Sequence, residues 1–186
     1  MALGTDSSAV GERLAAIARA LPAGRRVQVG AEEAAQSDAV LACVLDVAAR
    51  GLADRLGATV QANLVRSPAD ADALVEAGVH VRLVKGAYAE TTGAHPYGEP
   101  TDVAFLRQGF RLAQRGADWS MATYDARLRE AVLLAGGPLP VEQLLGCVPR
   151  SCTSCALRGV STRVYVPYGA DWFRAWLRRL AESQGA

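Results

Sequence analysis

The side chains best suited to chemistry are concentrated in two short stretches. One is Val79-His80-Val81-Arg82-Leu83-Val84-Lys85-Gly86-Ala87-Tyr88. The other is Arg163-Val164-Tyr165-Val166-Pro167-Tyr168-Gly169, followed by a helical pattern carrying Arg178, Arg179 and Glu182. Each opens as a β-branched run that reads as a buried strand and ends in charged and aromatic residues. In parallel α/β sheets, ligands sit at the carboxyl ends of strands. Arg82, Lys85 and Tyr88 there suit an anionic, planar ligand better than a core, where charges are rarely placed. Gly86 lets backbone approach a ligand closely. Arg178 and Arg179 diverge by about 100° on a helix. One is suited to grip a carboxylate in two-pronged fashion while the other shapes the pocket. Glu182, four residues after Arg178, is placed to orient it.

Plainer readings stand beside these. Two arginines near a helix C-terminus also complement the macrodipole, and Glu32-Glu33 reads best as the acidic first turn of a helix. Tyr165 and Tyr168 serve equally as aromatics packed for area. Cys152-Thr-Ser-Cys155 has the spacing of a zinc or redox pair. Four zinc ligands are not in view: the only other cysteines are Cys43 and Cys147, and the only histidines His80 and His95. No metal is expected, and the thiols read as small surface residues. There is no GxGxxG, P-loop or Ser-His-Asp arrangement.

The elements that must position these residues alternate. Helices are expected over 8–21, 37–56 (with Ser37 as N-cap and Gly57 as stop), from Ser67 to Gly78, 102–115, 126–135 capped by Asp125, 152–158 and 170–184. Ser67, Pro68 and Asp70 read as N-cap, N1 and N3 of the third. Strands are expected at 27–29, 58–63, 80–84, 119–123, 144–147 and 164–166. The loop 91–101, rich in Gly, Pro and Thr, suits a lid or binding loop. Alternation of this kind implies an α/β fold of parallel βαβ units. The 186 residues read as a single domain over 1–186, with 1–7 expected to be disordered.

Composition excludes several classes. A net charge of +1 gives no footprint for nucleic acid. No apolar run approaches the ~20 residues that span a bilayer. With no secretory pattern at the N-terminus, a cytoplasmic location is expected. At 51% hydrophobic and 6% aromatic, Ala, Leu and Val must build most of the core.

The stretches RLVKGAY and RVYVPYG…RRLAE together resemble the FAD-dependent proline dehydrogenase family, a (βα)8 barrel; the likeness extends over roughly residues 10–184. It implies an incomplete TIM-barrel-related fold of about six βα units, where the family has eight. It also implies oxidation of L-proline, or a similar small amino acid, to 1-pyrroline-5-carboxylate with FAD. Electrons would pass to a quinone, reached from the cytoplasm by peripheral contact with a membrane. By this resemblance Gln61, Arg82, Lys85, Gly86, Tyr88, Thr123 and Tyr124 stand at cofactor-contacting positions. Tyr165, Arg178, Arg179 and Glu182 stand at the substrate, and Arg82, Lys85 and Tyr165 are the catalytic candidates. A cation at Arg82 or Lys85 would stabilise negative charge on a reduced flavin ring. The chain departs from the family at Gly30, where the family has Asp, at Tyr124, where it has His, and at Ala175, where it has Tyr. The family's first two strands have no counterpart. Open parallel edges invite pairing. The chain is therefore expected to be part of a longer domain, to pair with a second copy or a complementing chain, or to be a shortened relative. In the last case, a non-catalytic binding or assembly module is the alternative function.

Overall fold

The computed structural model describes residues 7–86, 88, 90–144, 159–166, 168, 169 and 173. The chain divides into two compact units, Met1–Trp119 and Ser120–Ala186. In order, the first holds α1 (Ser7–Ala20), β1 (Val27–Val29), α2 (Ser37–Val47), β2 (Leu56–Gln61), α3 (Ser67–Glu76), β3 (His80–Val84) and α4 (Glu99–Gln114). Next come β4 (Trp119–Ala122), which begins on the last residue of the first unit, α5 (Ala126–Gly136), β5 (Val141–Leu144) and β6 (Thr162–Tyr165). The six expected strands are present. The pairings of β1 with β2, β2 with β3, β4 with β5 and β5 with β6 are all parallel.

In the first unit, Gly57, Thr59 and Gln61 of β2 stand opposite His80, Arg82 and Val84 of β3. These six share one sheet face, because side chains alternate along a strand. The other face carries Ala58 and Val60 of β2 with Val81 and Leu83 of β3, all buried. Leu74 of α3 and Phe105 and Leu112 of α4 are buried as well. On α4 the buried positions Thr101, Phe105, Gln108, Gly109 and Leu112 recur at helical spacing, which gives the helix one inward stripe. The first unit thus keeps its apolar core on the helix side of the strands and its polar side chains on the opposite face.

In the second unit the register sets Glu142 against Arg163 and Leu144 against Tyr165. Val141 and Gln143 are buried, while Arg163 and Tyr165 are exposed.

Several expected boundaries move. The helix expected over 37–56 keeps regular form only to Val47. Gly51, at φ 79°, takes a left-handed conformation inside the next turn, and Leu56 already begins β2. Gly57, the expected stop, lies within that strand. Ser37 is the first residue of α2 rather than its cap, and Ser67 likewise opens α3. The Ser67 hydroxyl instead donates to the carbonyl of Gln61. α4 starts three residues earlier than expected, with Pro100 in its first turn. β5 lies at 141–144 rather than 144–147, where Val141 pairs with Met121 of β4. The expected helices at 152–158 and 170–184 fall outside the described residues, Phe173 excepted. So do residues 1–6; Ser7, at the end of the stretch expected to be disordered, opens α1.

Candidate functional site

The polar face of the first unit is assembled around Thr59 and Arg82. Arg82 donates to Thr59 Oγ1 from Nη2 at 2.8 Å and from Nε at 3.1 Å. Thr59 in turn donates to the carbonyl of Val29 on β1 at 2.7 Å. Gln61, one pleat further along the same face, is buried, and its Nε2 donates to the carbonyl of Glu32 at 2.9 Å. Gln61 and Arg82 therefore stand together near the carboxyl ends of adjacent strands, both held by hydrogen bonds.

Gly86 closes this end of β3 in a conformation that glycine alone adopts readily, at φ 122°. A Cβ built there would lie 2.0 Å from Asn63 Oδ1. Asn63 is buried. Its backbone N–H donates to Lys85 at 2.9 Å, and its Oδ1 has no hydrogen-bond partner among the described residues. The glycine in the Lys-Gly pair is thus required by a neighbouring side chain as well as by any ligand.

Lys85 does not join Arg82. Its Nζ lies 2.5 Å from Asp102 Oδ1 in the first turn of α4. Tyr88 is half-buried in the turn that follows. Glu90, two residues on, accepts the N–H of Ala34 at 2.7 Å and so ties the loop after β3 to the loop after β1.

The second unit holds three further candidates. Thr123 is buried, and its Oγ1 accepts the N–H of Asp125 at 3.2 Å. Tyr124 accepts the N–H of Leu144 at its hydroxyl, at 3.0 Å. Asp125 caps α5 as expected, accepting from Arg127 at 2.9 Å and Leu128 at 3.4 Å. Burial pushes its carboxyl upward, but these N–H bonds outweigh burial and leave it below the usual range. Tyr165 ends β6 with its ring exposed. Arg178, Arg179 and Glu182 lie outside the described residues, as do Ala175 and the cysteines of the Cys152–Cys155 pair. Among the described residues no group of three His, Cys, Asp or Glu side chains is arranged to hold a metal.

Three participants escaped the motif reading: Thr59, Asn63 and Asp102. A signal for two was present. Thr59, Gln61 and Asn63 alternate through an otherwise apolar strand, and such a stripe marks a polar face. A cleft of about 630 Å³ in the first unit, lined by Pro68, His95, Pro100, Val103, Arg107 and Gln108 among others, contains none of the expected site residues.

No family model matches the chain. Among curated proteins it is 34% identical over 137 residues to proline dehydrogenase 1 of Bacillus subtilis subsp. natto, covering 69% of this chain and 45% of that protein. It is 33% identical over 139 residues to the proline dehydrogenase of Deinococcus radiodurans, covering 70% and 45%. Among solved structures, proline utilization A of Bdellovibrio bacteriovorus, inactivated by N-propargylglycine, matches with a TM-score of 0.83 at 20% identity, over 94% of this chain and 21% of that one. A proline utilization A with proline bound in remote sites gives 0.83 at 25% identity, over 97% and 22%. These likenesses bear out the α/β, barrel-related fold of six parallel strands. The curated relatives carry the name of an oxidoreductase. The chain spans a little under half the length of the curated relatives it matches, and in sequence and fold it is a relative of the proline dehydrogenases.

Proposed function

We propose that this chain provides the flavin-binding part of a proline dehydrogenase. The activity would oxidise L-proline to 1-pyrroline-5-carboxylate with FAD and pass electrons to a quinone. The observation that carries the reading is that Gln61 of β2 and Arg82 of β3 lie on one sheet face, toward the end of the sheet where parallel folds bind ligands. The donor set fits the group. A flavin ring offers hydrogen-bond acceptors along one edge and gains negative charge on reduction, and a guanidinium fixed by two hydrogen bonds suits both. When bound, FAD would accept the electron pair released as the C–N bond of proline becomes C=N.

In this reading Gln61, Arg82, Lys85, Gly86, Tyr88, Thr123 and Tyr124 contact the cofactor. Arg82 is the electrostatic stabiliser, and Lys85, paired with Asp102, ties the chain after β3 to the first turn of α4. Tyr165, Arg178, Arg179 and Glu182 hold the amino acid, the arginines taking its carboxylate. No helix among the described residues is long and apolar enough to cross a membrane. A quinone would therefore be met by peripheral contact, or through other parts of a longer protein.

The test is optical. Titration with FAD should give a yellow complex with the two visible bands of a bound flavin. Addition of L-proline without oxygen should bleach it. A protein that carries no flavin absorbance once unbound FAD has been removed by gel filtration refutes the reading.

A further inference from the structure

Thr59 is a hydroxyl on the polar face of β2, a strand whose one other polar side chain is Gln61. Its hydrogen-bond capacity is fully committed. A threonine hydroxyl has one proton to donate and two lone pairs to accept with. The proton lies on the Val29 carbonyl at 2.7 Å. Both acceptor positions then face Arg82, at 2.8 Å to Nη2 and 3.1 Å to Nε. Gln28 Nε2, at 3.4 Å, is only a long third approach. Two donors of one guanidinium edge converge on that single oxygen and hold the edge against Thr59, where one bond would let the edge swing away. The β-branched side chain has a restricted χ1, so the hydroxyl is itself held in place.

We propose that Thr59 is a positioning residue for the flavin site. It sets the orientation of the Arg82 guanidinium by linking it to the backbone of β1. This rests on the flavin-binding reading above.

The test compares the parent chain with Thr59→Val, which keeps the shape and removes the hydroxyl, and Thr59→Ser, which keeps the hydroxyl. Loss of a hydrogen bond to a charged group should weaken FAD binding by roughly tenfold in the Val variant. The midpoint potential of the bound flavin should also become more negative. The Ser variant should restore both. A second readout needs no flavin: in the free chain, the Nε–H of Arg82, followed by ¹⁵N NMR, should exchange slowly in the parent and the Ser variant, and quickly in the Val variant. If the Val variant binds FAD with the parent's affinity and potential, the proposal is overturned, even if Nε–H exchange accelerates, because the bond is then structural only. If Nε–H exchange is the same in all three chains, Thr59 does not hold Arg82 and the proposal is again overturned. A parent that takes up no FAD overturns the flavin reading and with it the flavin role of Thr59, while the exchange data still decide whether Thr59 holds Arg82.

Discussion

The two ends of β3 are built on different principles. At the N-terminal end, His80 is 1% exposed, and its Nδ1 lies 2.9 Å from Asp118 Oδ1. The other Asp118 oxygen accepts from Arg26 at 2.7 Å. Burial pushes the Asp118 carboxyl upward, but its bonds to His80 and Arg26 prevail and leave it below the usual carboxylate range. The imidazole and the guanidinium at that end share one carboxylate. At the C-terminal end, a buried Asn63 oxygen has no partner among the described residues, and Gly86 sits at φ 122°. Unsatisfied groups and unusual backbone conformations gather where a ligand is to be met. Under the proposed function, β3 would keep stability at its start and ligand contact at its end, as parallel βα units do.

The strongest way to break this contrast is at Gly86. An alanine there adds a Cβ 2.0 Å from Asn63 Oδ1 at a backbone angle that L-residues rarely adopt. Gly86→Ala should lower the unfolding free energy by about 3 kcal/mol, combining backbone strain with overpacking. In a double variant with Asn63→Ala the overpacking part should return and the strain should not, so the two changes will not add. The measurement is the denaturant midpoint of all three variants. A Gly86→Ala protein within about 0.5 kcal/mol of the parent, inside the range of neutral substitutions, would show that this end of β3 is not constrained as described.

What was legible in the sequence follows from the same contrast. β-branched runs announced the strands, Arg82 stood out because a charge in a buried strand needs a reason, and Gln61 was reached through the family resemblance alone. Lys85 was legible as a functional type but not as to direction. It lies beyond the last paired residue of β3, where alternation no longer fixes a side, and its ammonium meets Asp102. Gly51 was hidden inside a run of good helix formers, although a left-handed glycine there is what ends the helix. β5 was displaced because Val-Glu-Gln-Leu looks polar. Its Gln143 is nevertheless buried, and Glu142 accepts from Ser120 at 2.8 Å and Arg163 at 3.2 Å, which pays the cost of placing polar groups in a strand.

A medium effect is expected at the opposite end. The folded-state pKa of Asp118 is depressed relative to about 3.9 in an unfolded chain. Its contribution is therefore fully present above roughly pH 4 and is lost as pH falls through the lower folded value. The side chain is 66% exposed, so solvent screening limits the contribution to about 1 kcal/mol or less. Asp118→Asn should lose that amount at neutral pH, flatten the acid limb of the stability curve and leave FAD affinity unchanged. Denaturant midpoints measured from neutral to acid pH test the first two, and a fall in FAD affinity would blur the division between the two ends.

The smallest effect on stability is expected at Gly30, the residue directly after β1. Its φ is not left-handed, it is exposed, and a Cβ there would meet nothing within 4 Å. Nothing in the backbone or the packing requires glycine, in contrast to Gly86. Gly30→Asp should therefore stay within about 0.5 kcal/mol of the parent, as an unstrained surface substitution does. Its consequence should be chemical. Aspartate is what the proline dehydrogenases carry at this position by resemblance, lining the substrate pocket. The neighbouring Val29 carbonyl already anchors the Thr59 hydroxyl that holds Arg82. A carboxylate next to that link should strengthen the grip on a zwitterionic amino acid, seen as a lower proline concentration for half-bleaching of the FAD-loaded chain. Equal proline dependence in variant and parent would mean that the glycine costs the site nothing. Early melting would mean that the opening beside β1 is needed by the fold, and the C-terminal end would then share the packing demands assigned here to the other.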